Sequence, residues 1–339
     1  MPVCEWDSVT DTARSQEGAQ RARRLAEAGS AGRERTAVGG ARRVAAVDLG
    51  TNTTRLLVAD VDDERVDEVS LRQQITRLGE DVHARRRLLP LPIARVRNVL
   101  TDFRREAESL GAERVLAVAT SAVRDAENGE AFLGEIEWSY GFTTRLLSGE
   151  EEAALTLQGV GEVADGTVVL DVGGGSTELI TRERAVSLDV GSVRLTELFG
   201  EDVDAIAAYA RPLLPDFAPS AAVGVAGTVT SLAALDLGLQ EYDREQVHGH
   251  VLTLDAVEEQ LARLASLPLE ERKRLPALDP GRAPVIIAGA TIVREVLRHY
   301  GLDSLRASER DLLHGIALAA AALPEPVEGD APPGAYTCC

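Results

Sequence analysis

The sequence has very little lysine and cysteine, and each shortage excludes a class of protein. Its single lysine is Lys273, so it contains no Gly-Lys-Ser/Thr phosphate loop, which excludes P-loop NTPases and protein kinases. The three cysteines, Cys4, Cys338 and Cys339, lie at the two ends and offer no disulfide framework, no paired-cysteine zinc site and no buried nucleophile. This cysteine usage predicts a reducing, cytoplasmic location.

Long apolar segments and excess positive charge are also lacking. The longest apolar run, residues 316–323, is too short to span a bilayer, and the polar first residues do not resemble a secretory signal. The 55 acidic residues outnumber the 36 basic ones, which gives a net charge of −19. A field of this sign repels nucleic acid and anionic membranes unless a local basic patch reverses it, so we expect neither as a partner.

The 339 residues are enough for two domains of ordinary size. Residues 1–42 contain few large apolar side chains, and residues 324–339 are rich in proline and glycine, so both are predicted to be disordered. Between them, short apolar runs alternate with amphipathic stretches, as is typical of an α/β protein. Strands are predicted at 43–50, 56–61, 114–120, 143–148, 167–175, 178–181, 223–227 and 285–289, and helices at 93–110, 150–160, 192–199, 204–214, 256–267 and 291–300.

The most informative feature is a segment that occurs twice, VAAVDLGTNTTRLLVADV around Asp48 and GTVVLDVGGGSTELIT around Asp171. Each copy predicts a buried strand that ends in an aspartate, a turn of glycines and small polar residues, and a second strand. Glycines let backbone N–H groups approach an anion without interference from a Cβ. Although tight turns alone also favour such residues, the matching context predicts two similar domains that bind one phosphoanhydride in the cleft between them.

A third pattern is also repeated, in VGVAGTVTSLAA and VIIAGATIVREV. Both are predicted to be a strand, an Ala-Gly turn with a nearby threonine, and a helix. This arrangement places a helix N-terminus at the end of a buried strand, where anions bind readily.

Together these segments resemble the exopolyphosphatase and guanosine pentaphosphate phosphohydrolase family (Ppx/GppA). The resemblance covers about residues 43–321 and is carried by AAVDLGTNTTRLLV, ATSAVRDAEN, LSGEEEAALTLQGV, LDVGGGSTEL, AGTVTSLAAL and SERDLLHGIAL. It implies two ribonuclease-H-like domains of the actin, Hsp70 and sugar-kinase superfamily, at 43–160 and 161–323, that flank a central cleft. The chain resembles the short, two-domain form of the family, in which homodimers are common, so a homodimer is an expectation.

The resemblance also assigns roles to individual residues. It implies Mg²⁺ as the cofactor, bound by Asp48, Asp171 and Glu178; Glu152 as the catalytic base, with Glu150 and Glu151 as alternatives; and Arg124 as a clamp on a substrate phosphate. Hard carboxylate oxygens suit Mg²⁺, and a guanidinium matches a phosphate. Substrate phosphates would be bound by the two turns, at Gly50, Thr51, Asn52, Thr53, Gly173, Gly174, Gly175 and Ser176.

Each of three further features has two possible interpretations. Arg55, on the second strand of the first hairpin, either contacts substrate or forms an internal salt bridge. The run Arg85, Arg86 and Arg87 is a solvated loop or steers a polyanion toward an acidic protein. His248 and His250, in VHGH, have the spacing of metal ligands but lack companion cysteines, which favours a structural role.

The resulting hypothesis is an exopolyphosphatase, which hydrolyses the terminal phosphate of linear polyphosphate. The alternatives are a guanosine pentaphosphate phosphohydrolase, an ATP-using enzyme of the same fold, and a sensor that binds polyphosphate or guanosine tetra- or pentaphosphate without turnover. The glycine hairpins would treat both kinds of phosphate end alike, so the residues leave the substrate open.

Overall fold

A computed structural model describes residues 40–324. The predicted disordered segments, 1–42 and 324–339, lie outside this range except for 40–42 and Pro324, and Arg42 already begins the first strand. Within the described range no helix is both long enough and apolar enough to cross a membrane.

The first lobe is built on a sheet of five strands in the order β3-β2-β1-β4-β5. β1 pairs antiparallel with β2 and parallel with β4, so a meander of three strands continues into a parallel pair. The lobe comprises β1 Arg42–Leu49, β2 Thr53–Asp62, β3 Arg65–Ile75, α1 Val82–Arg85, α2 Pro90–Ser109, β4 Arg114–Ala119, α3 Ser121–Arg124, α4 Gly129–Tyr140 and β5 Thr143–Leu146. Helix α5, Gly149–Val160, follows it.

The second lobe repeats this order with one additional strand. Its sheet reads β8-β7-β6-β9-β11-β10, in which β6 to β8 form the meander and β9 and β11 the parallel continuation. Its elements are β6 Thr167–Val172, β7 Thr177–Ile180, β8 Ala185–Leu188, α6 Ser192–Phe199, α7 Val203–Ala210, β9 Ala221–Val225, α8 Ala226–Asp236, α9 Arg244–Val247, β10 Val251–Thr253, α10 Leu254–Ser266, α11 Leu269–Arg272, α12 Ile286–Tyr300 and β11 Ser304–Ala307. The repeated mixed sheet confirms the prediction of two ribonuclease-H-like α/β domains.

The last helix of the described range, α13 Leu312–Ala321, returns to the first lobe. Its apolar face packs with Val44, Ala46 and Leu57 in the core of the first sheet. It also crosses α5 so closely that a Cβ on Gly315 would overlap the backbone oxygen of Leu155. The contacts of α13 therefore cross the predicted division into 43–160 and 161–323, which remains a prediction.

One predicted strand is wrong. Residues 285–289 were expected to form a strand before an anion-binding turn, but Ile286–Tyr300 is a continuous helix, α12. A Cβ on Gly289 would overlap the side chain of Thr228, so this glycine permits close packing of α12 on α8. A short apolar run fits a buried helix as well as a buried strand, and here tertiary packing decides between them.

The crossing of α5 and α13 predicts a sensitive position. Gly315→Ala should lower the free energy of unfolding by about 1–3 kcal/mol, because the added methyl group has no space. Gly134→Ala is the matched control, since Gly134 is also inside a helix but has open space around it. It should raise the stability by up to about 1 kcal/mol. Chemical unfolding of both variants measures this, and equal effects would contradict the packing.

Candidate active site

Each lobe delivers an aspartate to the cleft at the end of its central strand. Asp48 is the penultimate residue of β1 and lies opposite Arg55 on β2. Asp171 occupies the matching place on β6, opposite Glu178 on β7. The two aspartates are 123 residues apart (171 − 48), and so are Arg55 and Glu178 (178 − 55). Arg55 and Glu178 are therefore equivalent positions that carry opposite charges.

The two glycine turns meet at the base of the cleft. Each is closed by a backbone hydrogen bond, from Gly50 N to the oxygen of Thr53 at 3.1 Å and from Gly173 N to that of Ser176 at 3.0 Å. A Cβ on Gly174 would lie 2.8 Å from the Cβ of Thr51. The second turn can therefore approach the first only because it lacks side chains.

Above these turns lies a cavity of about 90 Å³. It collects most of the predicted site residues, namely Asp48, Gly50, Thr51, Asn52, Thr53, Glu152, Asp171, Gly173, Gly174 and Ser176. Three predicted residues do not line it. Gly175 packs against Ser121, Glu178 is buried behind the cavity, and Arg124 lies behind Glu152.

The three adjacent glutamates of α5 have different environments. Glu150 is exposed, whereas Glu151 forms a capping box with Ser148, whose backbone N–H it accepts at 2.8 Å. Only Glu152 is buried and lines the cavity. The geometry therefore distinguishes Glu151, which caps the helix, from Glu152, which is the candidate base. The role of Glu152 remains a prediction.

Electrostatically, the site is crowded with buried carboxylates. Burial, followed by repulsion from Glu178 and Asp171, raises the pKa of Glu152 well above its ordinary value. Burial and the charge of Glu178 likewise raise the pKa of Asp171. Burial also raises the pKa of Glu178, against the hydrogen bond that it accepts from Ser187 Oγ at 2.7 Å. In the absence of a cation, these groups favour a partly protonated state.

Two arginines offset part of this negative charge. Arg55 donates Nε and Nη2 to Oδ2 of Asp48 at 2.9 Å and Nη1 to Asp311, so it forms the internal salt bridge of the two predicted alternatives. Arg124 donates Nη1 to the backbone oxygen of Leu147 at 2.7 Å and lies 3.4 Å from Oε2 of Glu152. Arg124 therefore pairs with Glu152 and does not line the cavity, and its role as a clamp on a substrate phosphate remains a prediction.

The first residues of α8, which follow β9 directly, form another wall of the cavity, at the place where the Ala-Gly motif predicts a helix N-terminus. Ala226 has a φ of +62°, an uncommon backbone conformation for a residue with a side chain, and it lies with Gly227 and Thr228 in the lining. Gly227 makes space for the guanidinium of Arg282. Arg282 was not predicted, and its only signal in the sequence is one arginine in a proline- and glycine-rich loop. Thr120, Ser121 and Ser192 also line the cavity without having been predicted.

Both histidines of VHGH have partners within the protein. His248 Nδ1 accepts the backbone N–H of Glu309 at 3.1 Å, and His250 pairs with Asp236 at 2.7 Å. The run Arg85–Arg87 is exposed and does not line the cavity, and Arg85 pairs with Asp81. Steering of a polyanion by this run remains a prediction.

The donors in the cavity fit Mg²⁺. Oδ1 of Asp48 is buried and has no hydrogen-bond partner, while Asp171 lines the same cavity from the other lobe. No three His, Cys, Asp or Glu side chains in the described range 40–324 already form a metal site. Mg²⁺ commonly uses only one or two carboxylates and completes its shell with water and substrate phosphates, so the carboxylates of Asp48 and Asp171 fit this ion.

Comparison with known proteins agrees with the fold. The family model described as the Ppx/GppA phosphatase family matches residues 57–322. The chain belongs to this family. This chain is 37% identical over 314 residues to exopolyphosphatase 2 of Mycobacterium tuberculosis. The alignment covers 82% of this chain and 98% of that protein.

Solved structures give the same result. A crystal structure titled as an exopolyphosphatase-like protein is 31% identical, with a TM-score of 0.75, and covers 81% of this chain and 98% of its own. The Ppx/GppA family member of Aquifex aeolicus is 30% identical, with a TM-score of 0.69, and covers 83% and 98%. The resemblance identified from the motifs is therefore confirmed.

The buried carboxylates predict that the stability of the protein falls as the pH rises. Because the folded protein binds the Glu152 proton more tightly than the unfolded chain, this contribution to stability is present at low pH and is lost as the pH rises through the raised pKa. In EDTA, Glu152→Gln should therefore stabilise the protein by about 1–2 kcal/mol at pH 8 and by much less at pH 5.

Thermal unfolding of the variant and the parent at both pH values measures this effect. Glu150→Gln is the control, because Glu150 is exposed on the same helical turn, and it should leave the midpoint unchanged. A Glu152→Gln variant that is less stable than the parent at pH 8 would show that the Glu152 carboxylate is stabilised as an anion.

Proposed function

We propose that the protein is a Mg²⁺-dependent exopolyphosphatase that hydrolyses the terminal phosphoanhydride bond of linear polyphosphate and releases orthophosphate. The observation that supports this most is the cavity in which two glycine turns face three buried carboxylates, those of Asp48, Asp171 and Glu152. Family membership, and relatives named exopolyphosphatase, point to the same chemistry. We further propose that the enzyme works in the cytoplasm and as a homodimer.

In this proposal the turns bind the end of the chain. Backbone N–H groups of the residues around Gly50 and Gly173, with the hydroxyl groups of Thr51, Thr53 and Ser176, would surround the oxygens of the terminal phosphate. Such preorganised donors stabilise the charge that spreads over these oxygens in phosphoryl transfer. When bound by Asp48 and Asp171, Mg²⁺ would neutralise charge on the transferred and leaving oxygens.

Glu152 would act on the attacking water. Its raised pKa suits a general base, because the ionised carboxylate then accepts a proton more readily than that of an ordinary glutamate. Water attacks the terminal phosphorus, its proton passes to Glu152, and the bond from that phosphorus to the bridging oxygen breaks. The products are orthophosphate and a chain that is one phosphate shorter. Arg124 would hold Glu152 in position through the 3.4 Å contact.

A second candidate substrate is guanosine pentaphosphate, and one observation favours it. Next to the catalytic cavity, and sharing Arg55, Gly227 and Arg282 with it, lies a larger cavity of about 480 Å³, which Tyr242 also lines. A volume of this size accepts a small organic ligand. A nucleoside could lie there with its phosphates in the catalytic cavity.

The three glutamates of α5 offer a matched test. Glu152→Gln should lower kcat for orthophosphate release from polyphosphate by a hundredfold or more, on the order expected for loss of a general base. Glu150→Gln should keep the parent rate, and Glu151→Gln should nearly keep it, because glutamine also serves in a capping box. The rates are measured with and without Mg²⁺.

The same assay chooses among the substrates. Long-chain polyphosphate, short-chain polyphosphate, guanosine pentaphosphate and ATP are compared at equal concentration. Release from polyphosphate that needs Mg²⁺ and Glu152 supports the proposal, and a higher kcat/KM for guanosine pentaphosphate would replace it with the second candidate. Tight binding without release from any of them would indicate a sensor, and release from ATP alone an ATP-using enzyme.

A further inference from the structure

The last helix of the described chain contributes a carboxylate to the edge of the active site. Asp311 is the N-cap of α13, where its Oδ1 accepts the backbone N–H of Leu313 at 2.9 Å. It lies 263 residues after Asp48 (311 − 48), yet its Oδ2 contacts Nη1 of Arg55. Neither the motifs nor the chemistry proposed above gives Asp311 a role.

Arg55 connects Asp311 to Asp48. Its Nε and Nη2 both point to Oδ2 of Asp48, and its Nη1 points to Asp311. The three side chains are nearly inaccessible, with 18% of Arg55, 7% of Asp48 and 8% of Asp311 exposed. With Oδ2 of Asp48 held in this way, its Oδ1 remains buried and unpartnered.

Arg55 also lines the cavity itself. A guanidinium forms strong paired hydrogen bonds with phosphate, so a substrate phosphate in this cavity competes with Asp48 for Arg55. A second carboxylate on the far side of the guanidinium changes that balance. Asp311 is that carboxylate, and its own pKa is held low by Arg55 and His314 even though burial alone would raise it.

We propose that Asp311 is a positioning residue, which holds Arg55 on Asp48 and away from substrate phosphate, so that Asp48 presents one free carboxylate oxygen to the reaction. Asp311 does not line the catalytic cavity and would act on the reaction through Arg55. The consequence for catalysis rests on the proposed function, whereas the restraint on Arg55 does not.

Asp311→Asn removes the negative charge of this side chain but keeps its ability to cap the helix. Asparagine caps a helix as well as aspartate, so α13 should remain folded while Arg55 loses its second anion. The matched control is Asp202→Asn at the N-cap of α7, where Oδ1 accepts the N–H groups of Asp204 and Ala205 and the side chain is remote from the cavity lining. If Asp311→Asn fails to fold, Asp311→Ser supplies another neutral cap.

The first measurement is kinetic. Asp311→Asn should lower kcat about tenfold, as is typical when a residue that orients a metal ligand is removed. KM for polyphosphate should stay equal or fall, because the released Arg55 can bind phosphate. In an Arg55→Gln background, Asp311→Asn should change kcat less than about twofold, since the effect passes through Arg55. Equal kcat effects in both backgrounds would overturn the proposal.

The second measurement needs neither metal nor turnover. Inorganic phosphate is titrated calorimetrically in EDTA, and Asp311→Asn should bind it about fivefold more tightly than the parent. The gain should vanish in Arg55→Gln/Asp311→Asn and be absent in Asp202→Asn. Unchanged phosphate affinity in Asp311→Asn would overturn the restraint on Arg55. A parent that releases no orthophosphate from polyphosphate, with the phosphate affinities as expected, would reject the proposed function alone.

Discussion

The structure of the cleft depends on an excess of buried negative charge. Asp48, Asp171, Glu152 and Glu178 are each at most 7% exposed, and the arginines nearest to them are Arg55 and Arg124. Burying a carboxylate without a full counter-charge is costly, and proteins respond by raising its pKa. The protein therefore retains an unfavourable arrangement in its free state, which a bound divalent cation would relieve.

The duplicated fold explains how this arrangement is built. Each lobe provides one hairpin whose central strand ends in an aspartate, and the glycines of one turn let it approach the other. The copies have diverged at one equivalent pair, Arg55 and Glu178, which lie opposite the two aspartates. As a result, one aspartate is neutralised by its own hairpin, whereas the other gains a second negative charge beside it.

The parts of the site that could be predicted from the sequence are local. The aspartates, glycine turns and Glu152 lie within short motifs, and the matching spacing of the two copies indicated a shared cleft. Arg282 and Asp311 could not be predicted in the same way, because they reach the cleft only through the packing of α12 and α13. The polar edge strand β3, Arg65–Ile75, lacked the apolar run that identified the other strands of its sheet. The strand expected at 285–289 is the opposite error, a strand predicted where a helix lies. A short apolar run looks the same in a buried helix as in a buried strand.

The central claim is that the buried carboxylates are arranged for a divalent cation, and calorimetric titration of Mg²⁺ into the substrate-free protein tests it most directly. Run in two buffers that differ in ionisation enthalpy, the titration also counts the protons released. Our account predicts binding in the cleft with proton release, and loss of both in Asp171→Asn. Binding of equal affinity in parent and variant, or binding without proton release near neutral pH, would contradict it.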